Sequence, residues 1–177
     1  LAKKVYASKK EVLDRIEEIA NGDDTPGKDE VDHLKASFYR FQIAERDKKQ
    51  KEYLEAGGDP EKYQILPDKD EEAYKANMRV IKEKRAKAFE KAQQEREENL
   101  KHREEIIEKI KNMATSPDEA NKSYNEFKTL QQEWKGIGAV PPEKSSETWR
   151  NYQLYVEQFY DLLNLNREAR EYDFKKN

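Results

Sequence analysis

Titratable and nucleophilic side chains are abundant in this 177-residue chain, yet few fall at spacings that chemistry can use. His33 and His102 sit on polar helical stretches with no Ser, Asp or Cys constellation around them, so no nucleophile-and-base arrangement is in view. Glu104 and Glu105 beside His102 do not reproduce the two-histidine spacing of a helical zinc site. The absence of cysteine removes thiolate metal sites, thiol nucleophiles and disulfides, and fits a reducing compartment. Lys135-Gly136-Ile137-Gly138 has the residue types of a phosphate loop, but a helical stretch precedes it where a strand is needed, and the glycine frame is too short. Asp and Glu number 38, on charged helix faces where they aid solubility rather than act as an acid/base pair. No catalytic, cofactor-binding or metal-binding residue is expected, and neither is a cofactor or an enzymatic activity.

Two groups of residues remain as candidates for binding or for architecture. Between Lys75 and Lys91, Lys75, Arg79, Lys82, Lys84, Arg85, Lys87 and Lys91 face only Glu83 and Glu90. Lys75, Arg79, Lys82 and Arg85 are the contacts such a helix would offer to RNA or DNA phosphates, in binding that weakens with salt. The preferred alternative is a solvated helix whose charge is balanced by its acidic start at Asp68, Asp70, Glu71 and Glu72. The second group is Trp134, Gly136, Gly138, Pro141, Trp149, Tyr152 and Phe159. Aromatics in phase with helix stripes are core residues rather than a ligand cradle. We therefore expect a structural corner, with Trp134 and Trp149 packed together across it. Gly136 would close the preceding helix in the left-handed conformation, with Ile137 folding back.

Composition sets the scaffold that positions these groups. The chain is 41% charged and only 34% hydrophobic, below the usual apolar share of about 45–50%. Ala, Glu, Lys, Leu and Arg make up about half of it, which points to long helices. Ten Tyr, six Phe and two Trp supply the apolar surface that disordered chains lack. The net charge of −3 draws neither nucleic acid nor anionic membrane globally. No apolar run approaches the ~18 residues of a spanning helix. The opening Leu-Ala-Lys-Lys-Val-Tyr is no signal peptide, and the chain reads as a fragment of a longer one.

Periodicity places the helices. Val12, Leu13, Ile16 and Ile19 form a stripe within residues 8–20, stopped by Asn21-Gly22. Asp29 is the expected N-cap of a second helix carrying Val31, Leu34, Phe38 and Phe41, which runs to Ala56 and ends at Gly57-Gly58. A loop with one helical turn follows as far as Pro67. From Asp70 to about Ala114 there is neither glycine nor proline, so a very long third helix is expected. Tyr74, Met78, Ile81, Ala88 and Phe89 give its first half an apolar face, and Ile106, Ile107, Ile110 and Met113 give its end another. Between Glu90 and Glu105 only Ala92 and Leu100 are apolar, as in a solvent-exposed bridge. Ser116-Pro117-Asp118-Glu119 is a capping box opening a helix through Ala120, Tyr124, Phe127, Leu130 and Trp134. A last helix from about Pro142 to Tyr172 turns Trp149, Tyr152, Val156 and Phe159 inward.

The chain also repeats. A shift of 94 places Val12 to Ala20 on Ile106 to Ala114, and a shift of 93 places Val31, Leu34 and Phe41 on Tyr124, Phe127 and Trp134. Leu130-Gln-Gln-Glu-Trp134-Lys-Gly-Ile-Gly138-Ala-Val-Pro141, followed by Trp149, Tyr152 and Phe159-Tyr160, resembles the bacterial domain-of-unknown-function family 349. The resemblance is specific over residues 99–177 and degenerate over 1–98, where Phe41 and Tyr74 stand in for the tryptophans. It implies a tandem all-helical bacterial protein without an established activity. The expected fold is all-α, elongated, with two tandem three-helix units (1–98 and 99–177) joined by a long continuous helix. The expected function is a non-catalytic helical-repeat scaffold or adaptor in the cytoplasm, partnered by other proteins and not by membrane. A nucleic-acid-associated protein using the basic face of the third helix is the alternative.

Overall fold

A computed structural model describes the backbone of residues 3–176, and the side chains there except those of 169, 170 and 172–176. The described residues are all-α, with no strand among them. The helices are α1 (Lys9–Asn21), α2 (Lys28–Glu55), α3 (Lys69–Met113), α4 (Pro117–Lys122), α5 (Tyr124–Gly136) and α6 (Pro142–Lys176), with a 3-10 turn at Pro60–Lys62. The chain divides into two compact units, Leu1–Phe89 and Glu90–Asn177, and α3 contributes its first half to one and its second half to the other.

In the first unit the apolar stripes of α1, α2 and α3 meet. Val12, Ile16, Leu34, Phe38 and Ile81 are fully buried, and Tyr6 covers one end of this core. Burial of each such aliphatic or aromatic side chain contributes roughly 1.5–3 kcal/mol. The helix ends are closed by specific residues. Ser8 Oγ accepts from Glu11 N–H at 3.2 Å, and the Glu11 carboxylate accepts from Ala7 N–H at 2.8 Å. α2 begins one residue after Gly27 rather than at Asp29, which lies in the first turn and faces the positive helix end without capping it. Its far end is a Schellman closure, with Gly58 N–H donating to Tyr53 O at 3.0 Å and Gly57 N–H to Leu54 O at 3.1 Å. Gly57 has φ 89°, the only positive value among the described residues, and a Cβ on Gly58 would lie 2.5 Å from the Tyr53 ring. Gly57 is therefore required by its backbone conformation, and Gly58 leaves room for the Tyr53 ring to pack against the chain.

The second unit packs Ile106, Ile110 and Met113 of α3 against Phe127, Leu130 and Trp134 of α5 and against Tyr152 and Phe159 of α6. Ser116 caps α4 by accepting from Glu119 N–H at 3.1 Å. The single helix expected after this cap is interrupted once, at Ser123 (φ −94°, ψ 6°). The bonds Ser123 N–H to Glu119 O and Phe127 N–H to Ser123 O, at 3.0 and 2.9 Å, carry the ladder across, so the interruption is a bend rather than a stop. Gln158 Nε2 donates to Ala114 O at 2.9 Å, closing the end of α3 from α6.

Candidate functional site: a cationic groove and an aromatic corner

The two candidate groups lie in different units. In the first, α2 and α3 diverge enough to leave an open groove of ≈ 480 Å³. Val31 and Tyr39 from α2 and Tyr74, Met78 and Ile81 from α3 form its apolar floor. Along the α3 edge stand Lys75, Arg79, Lys82 and Arg85, so all four cations singled out in the sequence line one feature. On the α2 edge Asp32 and Lys35 offset each other. Lys75 has a 3.6 Å ion pair with Glu71, whereas Arg79, Lys82, Arg85 and Lys35 have none among the described residues.

The floor is held by stacking. Tyr74 lies flat on Phe38 with ring centroids 4.0 Å apart and an interplanar angle of 4°, and Tyr39 meets Tyr74 edge-on at 5.3 Å. Tyr74 is 4% exposed, and burial, with a smaller push from Tyr39, raises its pKa to about 12. Phe38 takes the stacking place that the sequence suggested for Phe41, one turn earlier on α2. Phe41 is half-buried and carries the Arg40 guanidinium over its ring at 5.2 Å. The start of α3 is fixed by a polar cluster. Asp68 accepts from Glu71 N–H at 2.7 Å and from Gln42 Nε2 at 2.7 Å, while Lys9 donates to Gln42 Oε1 at 3.0 Å and pairs with Glu45 and Asp70 at 2.5 and 2.9 Å. Burial alone would raise the Asp68 pKa. The backbone donor of Glu71, the Gln42 amide and the Lys9 and Arg46 charges outweigh it and leave it below its ordinary value.

Phe89 departs from the expected apolar face, being 64% exposed. It lies one turn beyond Arg85 on the same face of α3, where neither α1 nor α2 extends to cover it. Lys84, counted in the basic run, points elsewhere: its amine donates to Ile19 O at 2.7 Å, beside the Gly22 N–H that closes α1 onto the same oxygen, and to Gly22 O.

In the second unit, Trp134 stacks on Tyr152 rather than on Trp149, with centroids 3.8 Å apart and planes 10° apart. Trp149 packs on the outer face of Tyr152 at 5.8 Å and is 48% exposed, against 4% for Trp134. The reason is helical phase: Tyr152 lies three positions after Trp149, and of the two it is the tyrosine that falls in line with buried Thr148 and Phe159 on the α6 inner face. Phe159 completes the interior, stacked on Phe127 at 3.8 Å. Gly136 does not adopt the left-handed conformation. α5 ends into extended backbone at Ile137 (φ −79°, ψ 132°), whose N–H donates to Trp134 O at 3.2 Å. A Cβ on Gly136 would meet nothing, whereas one on Gly138 would come 3.1 Å from Asn99 Nδ2. Pro141 is buried and precedes the first residue of α6.

What holds this corner is α3. Asn99 donates to Ala139 O at 2.8 Å, and Arg103 donates to Ile137 O at 3.1 Å with its guanidinium 4.5 Å over the Trp134 ring. Partial burial lowers the Arg103 pKa from its ordinary value, Tyr152 opposing weakly, and its Nε is buried without a partner. The stretch expected to be a purely solvated bridge thus contributes two clasping residues. Their phase was visible, since Arg103 and Asn99 continue the face of Ile106, Ile110 and Met113 by one and two turns respectively.

His33 Nε2 contacts Lys4 O, and His102 Nε2 lies 3.7 Å from the Glu133 carboxylate. Among the described residues no group of three or more His, Cys, Asp or Glu is placed to hold a metal, and no helix is long and apolar enough to cross a membrane. Residues 71–143 match the family model described as Domain of Unknown Function (DUF349). The match takes in the corner from Trp134 to Pro141 and all four cations of the groove edge, while Trp149, Tyr152 and Phe159 lie beyond its end. No curated protein and no solved structure matches the chain.

Proposed function

We propose that this chain, whose residues 71–143 carry the DUF349 domain, is a non-catalytic cytoplasmic scaffold or adaptor that binds other proteins. The observation that carries this reading is the composition of the groove. Tyr39, Met78 and Val31 are half-buried on its floor, in a concavity of the kind that receives an apolar helix face. Phosphodiesters have nothing apolar to place there. Tyr74, 4% exposed and stacked on Phe38, offers no free face for a base. The second reading, an RNA- or DNA-associated protein, rests on the alignment of Lys75, Arg79, Lys82 and Arg85 along one edge.

A photo-crosslinking residue at position 82, with one at the exposed position 150 as control, separates the two in cells. Protein adducts that resist nuclease and are specific to position 82 support the scaffold. Adducts that disappear with nuclease, or none above the control, overturn it.

A further inference from the structure

Resting on the protein-binding reading, we propose that the occupant of the α2–α3 groove is an acidic amphipathic helix lying alongside α3. Three features of the groove set its chemistry. The first is the uneven charge of its edges. Lys75, Arg79, Lys82 and Arg85 line the α3 side, and Lys35 is offset by Asp32 on the α2 side. A complementary helix therefore carries its acidic residues on one flank, against α3, and neutral residues on the other. The second is the floor, where Tyr39, Met78 and Ile81 call for apolar residues at i, i+3 or i+4, and i+7 between the flanks. The third is length. From Tyr74 to Arg85 the floor spans about 16 Å, and Phe89, 64% exposed on the same face, extends it to about 22 Å, or four turns. An exposed phenylalanine in line with an apolar groove supplies the contact for the fourth turn of the visiting helix.

The test uses the full chain and a fluorescein-labelled synthetic peptide of about 18 residues, with leucines at helical spacing and glutamates on one flank only. Fluorescence anisotropy is measured at low and physiological salt. A peptide of the same composition in scrambled order, and a single-stranded RNA oligonucleotide, serve as comparisons. The ordered peptide is expected to bind at least tenfold more tightly than the scrambled one. The Arg79→Glu/Lys82→Glu variant should weaken it about tenfold with an unchanged circular dichroism melting curve, because both side chains are exposed. Phe89→Ala should weaken it about fivefold and leave folding intact. Equal binding of ordered and scrambled peptides, or indifference to the edge reversal, overturns the proposal. If crosslinks from position 82 still reach protein in that event, the scaffold reading survives and only the helical acidic occupant falls. If the oligonucleotide alone shows the edge dependence, both fall together.

Discussion

The two units solve one packing problem with different use of aromatic rings. The first stacks a single pair, Phe38 on Tyr74, and leaves Tyr39 and Met78 on an accessible floor. The second stacks two pairs, Phe127 on Phe159 and Trp134 on Tyr152, and adds Trp149 as a third ring outside. Its turn is clasped by Asn99 and Arg103, where the first unit has a hydrogen-bonded polar cluster around Asp68 and Gln42. Rings spent on mutual stacking close a helix layer, and rings left in a shallow depression keep it open to a guest. The second unit has a concavity of similar size, ≈ 490 Å³, but asparagines and Arg167 dominate its lining, so the units differ in the apolar character of the surface they leave open.

The largest test of this contrast is the pair Trp134→Ala and Trp149→Ala. The buried indole should cost about 3–5 kcal/mol in denaturant unfolding followed by circular dichroism, and the half-exposed one about 1 kcal/mol or less. Equal losses would mean that the outer ring is as much core as the inner. Next, Arg103→Ala should cost about 1–3 kcal/mol, since it removes the bond to Ile137 O and the cation over Trp134, and should red-shift the Trp134 fluorescence. A loss below about 0.5 kcal/mol would make the clasp incidental.

The units should also part company with pH. Tyr74 has a folded pKa of about 12 against an ordinary 10.0, so the folded state holds its proton more tightly. Its contribution of up to about 3 kcal/mol is present below pH 10 and disappears as pH rises from 10 through 12. Asp68 has the opposite sign. Its lowered pKa favours folding above the ordinary value of 3.8, and that support is lost as pH falls through and below it. Burial also raises the Tyr152 pKa in the second unit, so alkaline loss has the same sign in both, and the contrast lies on the acid side. Hydrogen exchange there should show α1–α2 opening before α5–α6, and the reverse order would contradict the assignment. The smallest effect is expected at the corner glycines. Gly138→Ala crowds Asn99 and should cost about 1 kcal/mol, whereas Gly136→Ala, at a helical position with free space, should be neutral or stabilising by about 0.5 kcal/mol.

The all-α fold, the long α3, the Ser116 cap and the Gly57-Gly58 stop were legible in the sequence, because each rests on local rules of periodicity and capping. Less legible were features decided by rotation of one helix against another. Trp149 and Tyr152 differ by less than a third of a turn in phase, so the sequence turned both inward and paired Trp134 with Trp149, whereas only Tyr152 reaches the interior. Phe89 continues an apolar stripe that runs past the helices able to cover it. The basic run was legible as charge, but not as the edge of a concavity, since α2 supplies the opposing wall from more than thirty positions away in the chain. Asn99 and Arg103 were hidden by hydropathy, although helical phase alone would have placed them on the inner face.

Lys84 carries a consequence of its own. With its amine committed to the carbonyls of Ile19 and Gly22, it belongs to the basic run in composition but holds its charge against the end of α1 rather than along the groove edge. Reagents that modify free amines should mark Lys82 and Lys87 early and Lys84 late, so the reactivity of adjacent lysines reports whether the end of α1 is seated. Neutralising this one amine by acylation would loosen a helix terminus while leaving the cationic edge of the groove intact.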